Sequence, residues 1–287
     1  GLRTQLGLRW DLRTIEIPEQ ARSGAASDAR IAQLENNYDN LSFSAGATYR
    51  FNKKLLLRAN AASAYRTPNT AELTQEGVHG SRYESGNRNL ESQQNYEGDI
   101  SLHYHCCHSL LDVSAFYNHI TNYIYLAPTG NNTADDLPAY AYEQQNASLY
   151  GLEVQYQIQP QEWIKGEVSY AKTIGKQDNG NYLPFIPQDK LKAALTLKAR
   201  DNKRFKAPYL RVNSDYAFSQ NNPARFETET AEYYLLHVSI GTGLQIGGYT
   251  ANVSLTANNL LDEAYIDHLS TLKPLGFHQM GRNIVVG

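Results

Sequence analysis

No stretch of the 287 residues approaches the roughly 18 consecutive apolar residues that a membrane-crossing helix needs. That excludes a helical span but not a barrel, whose strands need apolar side chains on alternate positions only. Cysteine is almost missing: Cys106 and Cys107 are the two present, and adjacent, which cannot make a disulfide framework. An excess of positive charge is missing too. Lys and Arg number 26 against 29 Asp and Glu, for a net charge of −3, so nothing electrostatic favours nucleic acid. The chain has no Gly-x-Ser-x-Gly and no His-Glu-x-x-His, the motifs of common hydrolases and zinc peptidases. Gly241-Thr242-Gly243 lies in a strand-like run with no helix after it, so it offers no helix N-terminus to a phosphate. These absences point away from an enzyme.

Tyrosine is abundant, with 21 residues against 8 Phe and 2 Trp. Its ring and hydroxyl suit the boundary between lipid and water. More telling is an alternation that keeps restarting. Leu41, Phe43, Ala45, Ala47, Tyr49 and Phe51 interleave with Ser42, Ser44, Gly46, Thr48 and Arg50. Tyr150, Leu152, Val154, Tyr156 and Ile158 interleave with Gly151, Glu153, Gln155 and Gln157. Leu191, Ala193, Leu195 and Leu197 do so with Lys190, Lys192, Thr196 and Lys198, and Ala251, Val253 and Leu255 with Asn252, Ser254 and Thr256. Successive strand side chains point to opposite faces, so each run has one apolar and one polar face. Runs of about ten residues suit strands that cross a bilayer at a tilt.

Strand-like runs fall at 2–13, 38–51, 54–65, 93–105, 109–122, 148–159, 163–172, 190–200, 207–218, 232–246 and 250–262, with a stub from 282. Tight turns at 52–53, 106–108, 159–162, 201–206 and 247–248 alternate with long polar segments at 14–37, 66–92, 123–147, 173–189, 219–231 and 263–281. That asymmetry belongs to outer-membrane barrels, which carry turns on one side and loops on the other. The expected fold is all-β: a transmembrane antiparallel β-barrel wall of about twelve strands, with Leu152, Val154, Tyr156, Leu195, Leu197, Val253 and Leu255 facing lipid. Glu153, Gln155, Lys192, Thr196, Asn252 and Thr256 should face the lumen. Gly1 falls inside a strand-like run, and residues 283–287 read as an unfinished one, so further strands are expected before residue 1.

Five short motifs sharpen this reading. Tyr65-Arg66-Thr67-Pro68 resembles the Phe-Arg-Ala-Pro box of the TonB-dependent outer-membrane receptors, and Gly86-Asn87-Arg88-Asn89-Leu90-Glu91 resembles their Asn-Pro-Asn-Leu box. Tyr150-Gly151-Leu152-Glu153, Asn258-Asn259-Leu260-Leu261-Asp262 and Gly281-Arg282-Asn283-Ile284 are similar to later boxes, in the family's order. The resemblance implies a bacterial outer-membrane barrel of about twenty-two strands filled by an N-terminal plug. Residues 1–287 would be the C-terminal portion of that barrel, without the plug. Partners would be the remaining strands, the plug, the TonB complex acting through it, and outer-membrane lipid and lipopolysaccharide. It implies uptake of a metal or metal chelate such as haem, zinc or an iron–siderophore complex, with cobalamin-type cargo also open and no intrinsic cofactor. A histidine between the first two boxes is the pattern of the haem and zinc receptors, and His79 holds that position.

From the residues alone, Gly77 and Gly80 flank His79 and let a loop crest present its imidazole. Neutral imidazole ligates zinc and haem iron alike, so it does not name the metal. His268 and His278 belong to the last long segment and could converge with His79, with Tyr83 and Glu84 as further oxygen ligands. His237 falls on the polar phase of its strand and should face the lumen, as a ligand on the path or as a wall residue. His103, His105, Cys106, Cys107 and His108 cluster at a tight turn with a spacing that fits no structural zinc motif. The competing classes are a passive porin or channel of similar architecture, or another barrel-bound membrane protein.

Overall fold

The computed structural model describes residues 1–21, 30, 31, 33–225 and 227–287. Twelve strands, eleven of them nine residues or longer, form one antiparallel wall in which each strand pairs with the next in the wall. They are β1 (Leu2–Ile17), β2 (Leu34–Arg50), β3 (Leu55–Arg66), β4 (Gln93–Cys106), β5 (Ser109–Asn132) and β6 (Pro138–Gln161). The second half comprises β7 (Ile164–Gln177), β8 (Lys190–Lys198), β9 (Phe205–Ala217), β10 (Tyr233–Ile246), β11 (Tyr249–Asn258) and β12 (Asn283–Val286). Two short strands, Glu76–His79 and Arg82–Ser85, pair as a hairpin, and the second also pairs in parallel with β6.

The period-two pattern sorts the faces as expected. Leu6, Leu8, Trp10 and Leu12 are exposed along one face of β1, as are Leu152 and Tyr156 on β6, Leu195 on β8, and Val253 and Leu255 on β11. In water such a surface would be an uncovered apolar patch; in a bilayer it is solvated by lipid. The opposite face is polar and concave. Gln155, Glu167, Lys192, Arg211, His237 and Thr256, from six successive strands, line one shared cavity, which requires the sheet to curl around them. Lys165 and Arg211 both pair with Glu167, and Lys192 pairs with Asp215, so luminal charges are offset within and across strands.

Two glycines in the wall are dictated by close approach. A Cβ on Gly151 would lie 2.4 Å from the Lys172 carbonyl and 2.6 Å from the Phe116 ring. One on Gly241 would lie 2.6 Å from the Tyr209 ring. Each glycine thus makes room for the aromatic ring paired across from it, a reason for Gly in a strand interior. The glycine of the Tyr150-Gly151-Leu152-Glu153 motif is therefore a packing requirement.

Strand lengths differ from the sequence reading in one respect. The segments 14–37 and 123–147 read as loops, yet β1 runs to Ile17, β2 starts at Leu34, β5 runs to Asn132 and β6 starts at Pro138. The middle of the first segment, 22–29 and 32, lies outside the described residues. Past the bilayer both faces of a hairpin meet water, so the apolar phase fades while backbone pairing continues. In the other direction, β11 stops at Asn258, because Asn259 turns left-handed with φ of 47°.

Candidate functional site: the anchored loop at the barrel mouth

The loop from Arg66 to Ser92 is fastened at its base. Its only helix, α1 (Thr70–Thr74), is closed by a capping box: the Glu72 N–H donates to Asn69 Oδ1, and the Asn69 N–H donates to Glu72 Oε2, each at 2.8 Å. Such reciprocal caps satisfy two donors that a short helix leaves open. Arg66 Nη1 donates to both oxygens of Glu72 at 2.8 Å. Arg13 on β1 donates to Thr67 at 2.7 Å. The first box is thereby tied to the helix and to the wall.

The second box completes the base. The Gly86 N–H donates to the Gln75 carbonyl and the Asn87 N–H to the Glu72 carbonyl. A Cβ on Gly86 would meet the Gln75 and Thr74 nitrogens at 2.7 Å, so only glycine fits there. Gln144 on β6 both accepts from the Glu91 N–H and donates to its carbonyl. Leu73 and Leu90 pack into a buried cluster with Ile15, Ile17, Tyr38 and Ile124 of the wall. Fully burying a leucine contributes about 1.5–3 kcal/mol, so these two apolar anchors outweigh any one of the hydrogen bonds. Both boxes therefore act as fasteners, and the hairpin 76–85 projects from them.

His79 is on that hairpin, paired with Arg82 beside the left-handed Gly80. Its side chain is 73% exposed, with Nδ1 3.5 Å from Glu84 Oε1. Glu84 is buried and accepts from Arg82 Nε at 2.6 Å, while the Arg82 guanidinium also covers the Tyr140 ring at 5.0 Å. Tyr83 donates to Glu76 at 2.5 Å. Of the proposed ligands on this hairpin, His79 is the one with an open face; Tyr83 and Glu84 serve the hairpin itself.

His268 lies elsewhere in the mouth and is buried, at 6% exposure. Its Nδ1 faces Thr230 Oγ1 at 2.8 Å and Lys273 Nζ at 3.1 Å, its Nε2 faces Glu227 at 3.6 Å, and its backbone N–H donates to Gln188. Burial, then the charge of Lys273, pushes the imidazole below its usual range despite Glu227. The neighbouring Asp267 accepts from Lys190 and Tyr233 at 2.8 Å. Burial pushes its carboxyl up, but the bonds from Lys190, the Leu269 N–H and Tyr233 outweigh this and hold it below its usual range. His278 is exposed and lines a cavity with Thr228, Tyr265 and Lys273. His268 and His79 share no contact residue, and no group of three or more His, Cys, Asp or Glu able to hold a metal forms among the described residues. The expected convergence of three imidazoles is not formed: burial and hydrogen bonding spend His268 on fastening the last loop.

His237 faces the lumen, with Nδ1 3.2 Å from Asn258 Oδ1 and accepting from the Asn259 N–H at 3.3 Å. His103 is 2.5 Å from Asp112 and 3.2 Å from Ser101. The remaining motifs clamp the last loop: the Arg282 N–H donates to Asp262 at 2.8 Å, and Asn259 exchanges bonds with Glu263 across its turn. Sequence reasoning missed Glu72, Gln144, Lys190 and Asp267. The Asn69-x-x-Glu72 spacing is a legible capping-box signal; the other three act across the fold and leave no local signature.

The family model for the TonB dependent receptor-like β-barrel matches residues 1–260. Among solved structures, the copper transporter OprC superposes with a TM-score of 0.83 at 18% identity, covering 99% of this chain and 46% of that one. The ferric-catecholate import receptor Fiu from E. coli K12 gives 0.69 at 16%, covering 99% and 42%. The ferric enterobactin receptor PfeA of Pseudomonas aeruginosa gives 0.65 at 15%, covering 99% and 50%. The chain thus spans half or less of the length of these proteins, and at such identities they establish the fold alone. With a wall of lipid-facing strands, fastened loop boxes and a family match over most of its length, the chain belongs to the TonB-dependent receptor β-barrels of the bacterial outer membrane.

Proposed function

We propose that residues 1–287 are the C-terminal portion of the barrel of an energy-coupled receptor that takes up a metal or metal chelate. One observation carries this reading: the two boxes are consumed in fastening the loop, which leaves a paired hairpin holding the exposed His79 at the mouth. A side chain on a paired hairpin costs less ordering on binding than one on a free loop would. Cargo captured there would pass to the polar luminal face, where Lys192, Arg211 and His237 offer exchangeable contacts. The energy would come from the TonB complex acting on a plug domain that fills the barrel, with outer-membrane lipid and lipopolysaccharide around it. The names of the similar structures, a copper transporter and ferric-siderophore receptors, support metal or chelate cargo as a class. A histidine at the crest suits a transition-metal ion, haem or zinc as well as an iron complex.

The test is uptake by cells carrying the full-length receptor or its His79→Ala variant, offered copper, zinc, haem or a ferric siderophore in turn. Loss of uptake for one cargo, with the barrel still folded, identifies it. Unchanged uptake of all four would remove His79 from the binding site.

A further inference from the structure

A pair of soft thiol ligands lies at the opposite end of the barrel from His79. Cys106 ends β4, Cys107 and His108 form the turn, and Ser109 begins β5. In barrels of this kind the short turns face the periplasm. Both thiols are free, their sulfurs are 3.6 Å apart, and Cys107 is exposed in a left-handed conformation with φ of 41°. The turn is braced, because the Gln159 N–H near the end of β6 donates to the His108 carbonyl at 2.7 Å. Cys107, His105 and His108 line a shared cavity at this rim with Gln159, Glu162 and Trp163.

The spacing of the sulfurs decides between two fates. The Cα atoms of adjacent residues are about 3.8 Å apart, below the roughly 4.4–6.8 Å that an unstrained disulfide spans. The pair is therefore poorly placed to close on itself. Metal–sulfur bonds of about 2.3 Å to sulfurs 3.6 Å apart subtend about 100°, close to the tetrahedral value. Two thiolates so placed can chelate one ion without moving the backbone.

We propose that Cys106 and Cys107 form a dithiolate site for one soft, thiophilic metal ion at the periplasmic rim, independent of cargo capture at the mouth. Thiolate ligands select soft ions such as Cu(I) over hard ones. With two protein ligands, the other coordination positions are open to solvent or to an acceptor's ligands, so the ion exchanges readily. This suits a hand-off point better than a structural metal.

The test uses the untagged full-length receptor in detergent, purified anaerobically, with Cu(I) delivered from a coloured chelator that competes for it. One equivalent should transfer to the receptor. Cys106→Ser and Cys107→Ser should each weaken that transfer by more than about a hundredfold, since removing even a group that only orients a ligand costs about 10–100-fold. His79→Ala should leave it unchanged, whatever that variant does to uptake. Thiol titration of protein isolated without reductant should count two more thiols than the double serine variant. Equal Cu(I) transfer to the double variant, or no difference in thiol count, would overturn the site.

Discussion

Arg66 Nη1 lies 2.8 Å from both carboxylate oxygens of Glu72, and this contact joins the end of a membrane strand to the start of the loop helix. Arg66 is part of the first sequence box, and Glu72 is the acid of the capping box. One carboxylate thus serves the arginine and the Asn69 N–H together, while the backbone carbonyl of the same residue receives Asn87 of the second box. The two boxes are some twenty residues apart in sequence and meet on a single residue.

Removing that residue's charge should loosen the loop without harming the barrel. Glu72→Gln is expected to cost the loop about 1–3 kcal/mol, toward the lower end because the Arg66 side chain is partly exposed. Leu73→Ala should cost about 2–5 kcal/mol through the cavity it leaves. Hydrogen exchange at the Gln75, Gly86 and Asn87 amides would report both changes. Protection that persists in both variants would mean that the loop is held by something else.

The lipid face should be intolerant of charge and the lumen tolerant. Leu195→Arg should cost about 2–4 kcal/mol if Leu195 meets the bilayer midplane, whereas Asn252→Arg, exposed on the luminal side, should cost little. Thr196 is an unsuitable luminal control: it is buried and accepts a hydrogen bond from Arg211, so a second arginine there would meet like charge. Urea unfolding of the receptor in lipid vesicles can compare the variants. Equal penalties at the two sites would contradict the assigned faces.

Orientation can be read on intact cells. An impermeant maleimide should label Ser81→Cys in the hairpin tip while leaving Cys107 untouched until the outer membrane is breached. Labelling of Cys107 alone would invert the barrel.

Docking of the last loop should weaken in acid. Burial holds His268 below its ordinary pKa of about 6.5, so the folded state binds fewer protons than the open one. Its contribution is full above about 6.5 and is lost as pH falls through the lower folded value. Asp267 acts in the same sense, its share being lost below about 3.9. Amide exchange of the loop, followed from pH 7.5 to about 5, should speed up relative to an amide in β8. His268→Gln should flatten that response, and a response of the same size in the variant would clear His268 of the role.

Much of this molecule is written locally. Alternation of Leu152, Val154 and Tyr156 with Glu153 and Gln155, and the order of short turns and long segments, suffice for strand number, facing and barrel class, because period two maps onto two solvents. The exposed position of His79 follows from its flanking glycines. The sequence could not show that the boxes are fasteners, since Gln144 and Tyr38 reach the loop only once β1 to β6 stand side by side. Nor could it tell His268, buried among Gln188, Glu227, Thr230 and Lys273, from His278, which stays exposed. Strand phase is set by neighbours in the chain, whereas the burial of His268 is set largely by Thr230, Glu227 and Gln188, 38 to 80 residues away, and only the folded barrel brings those together.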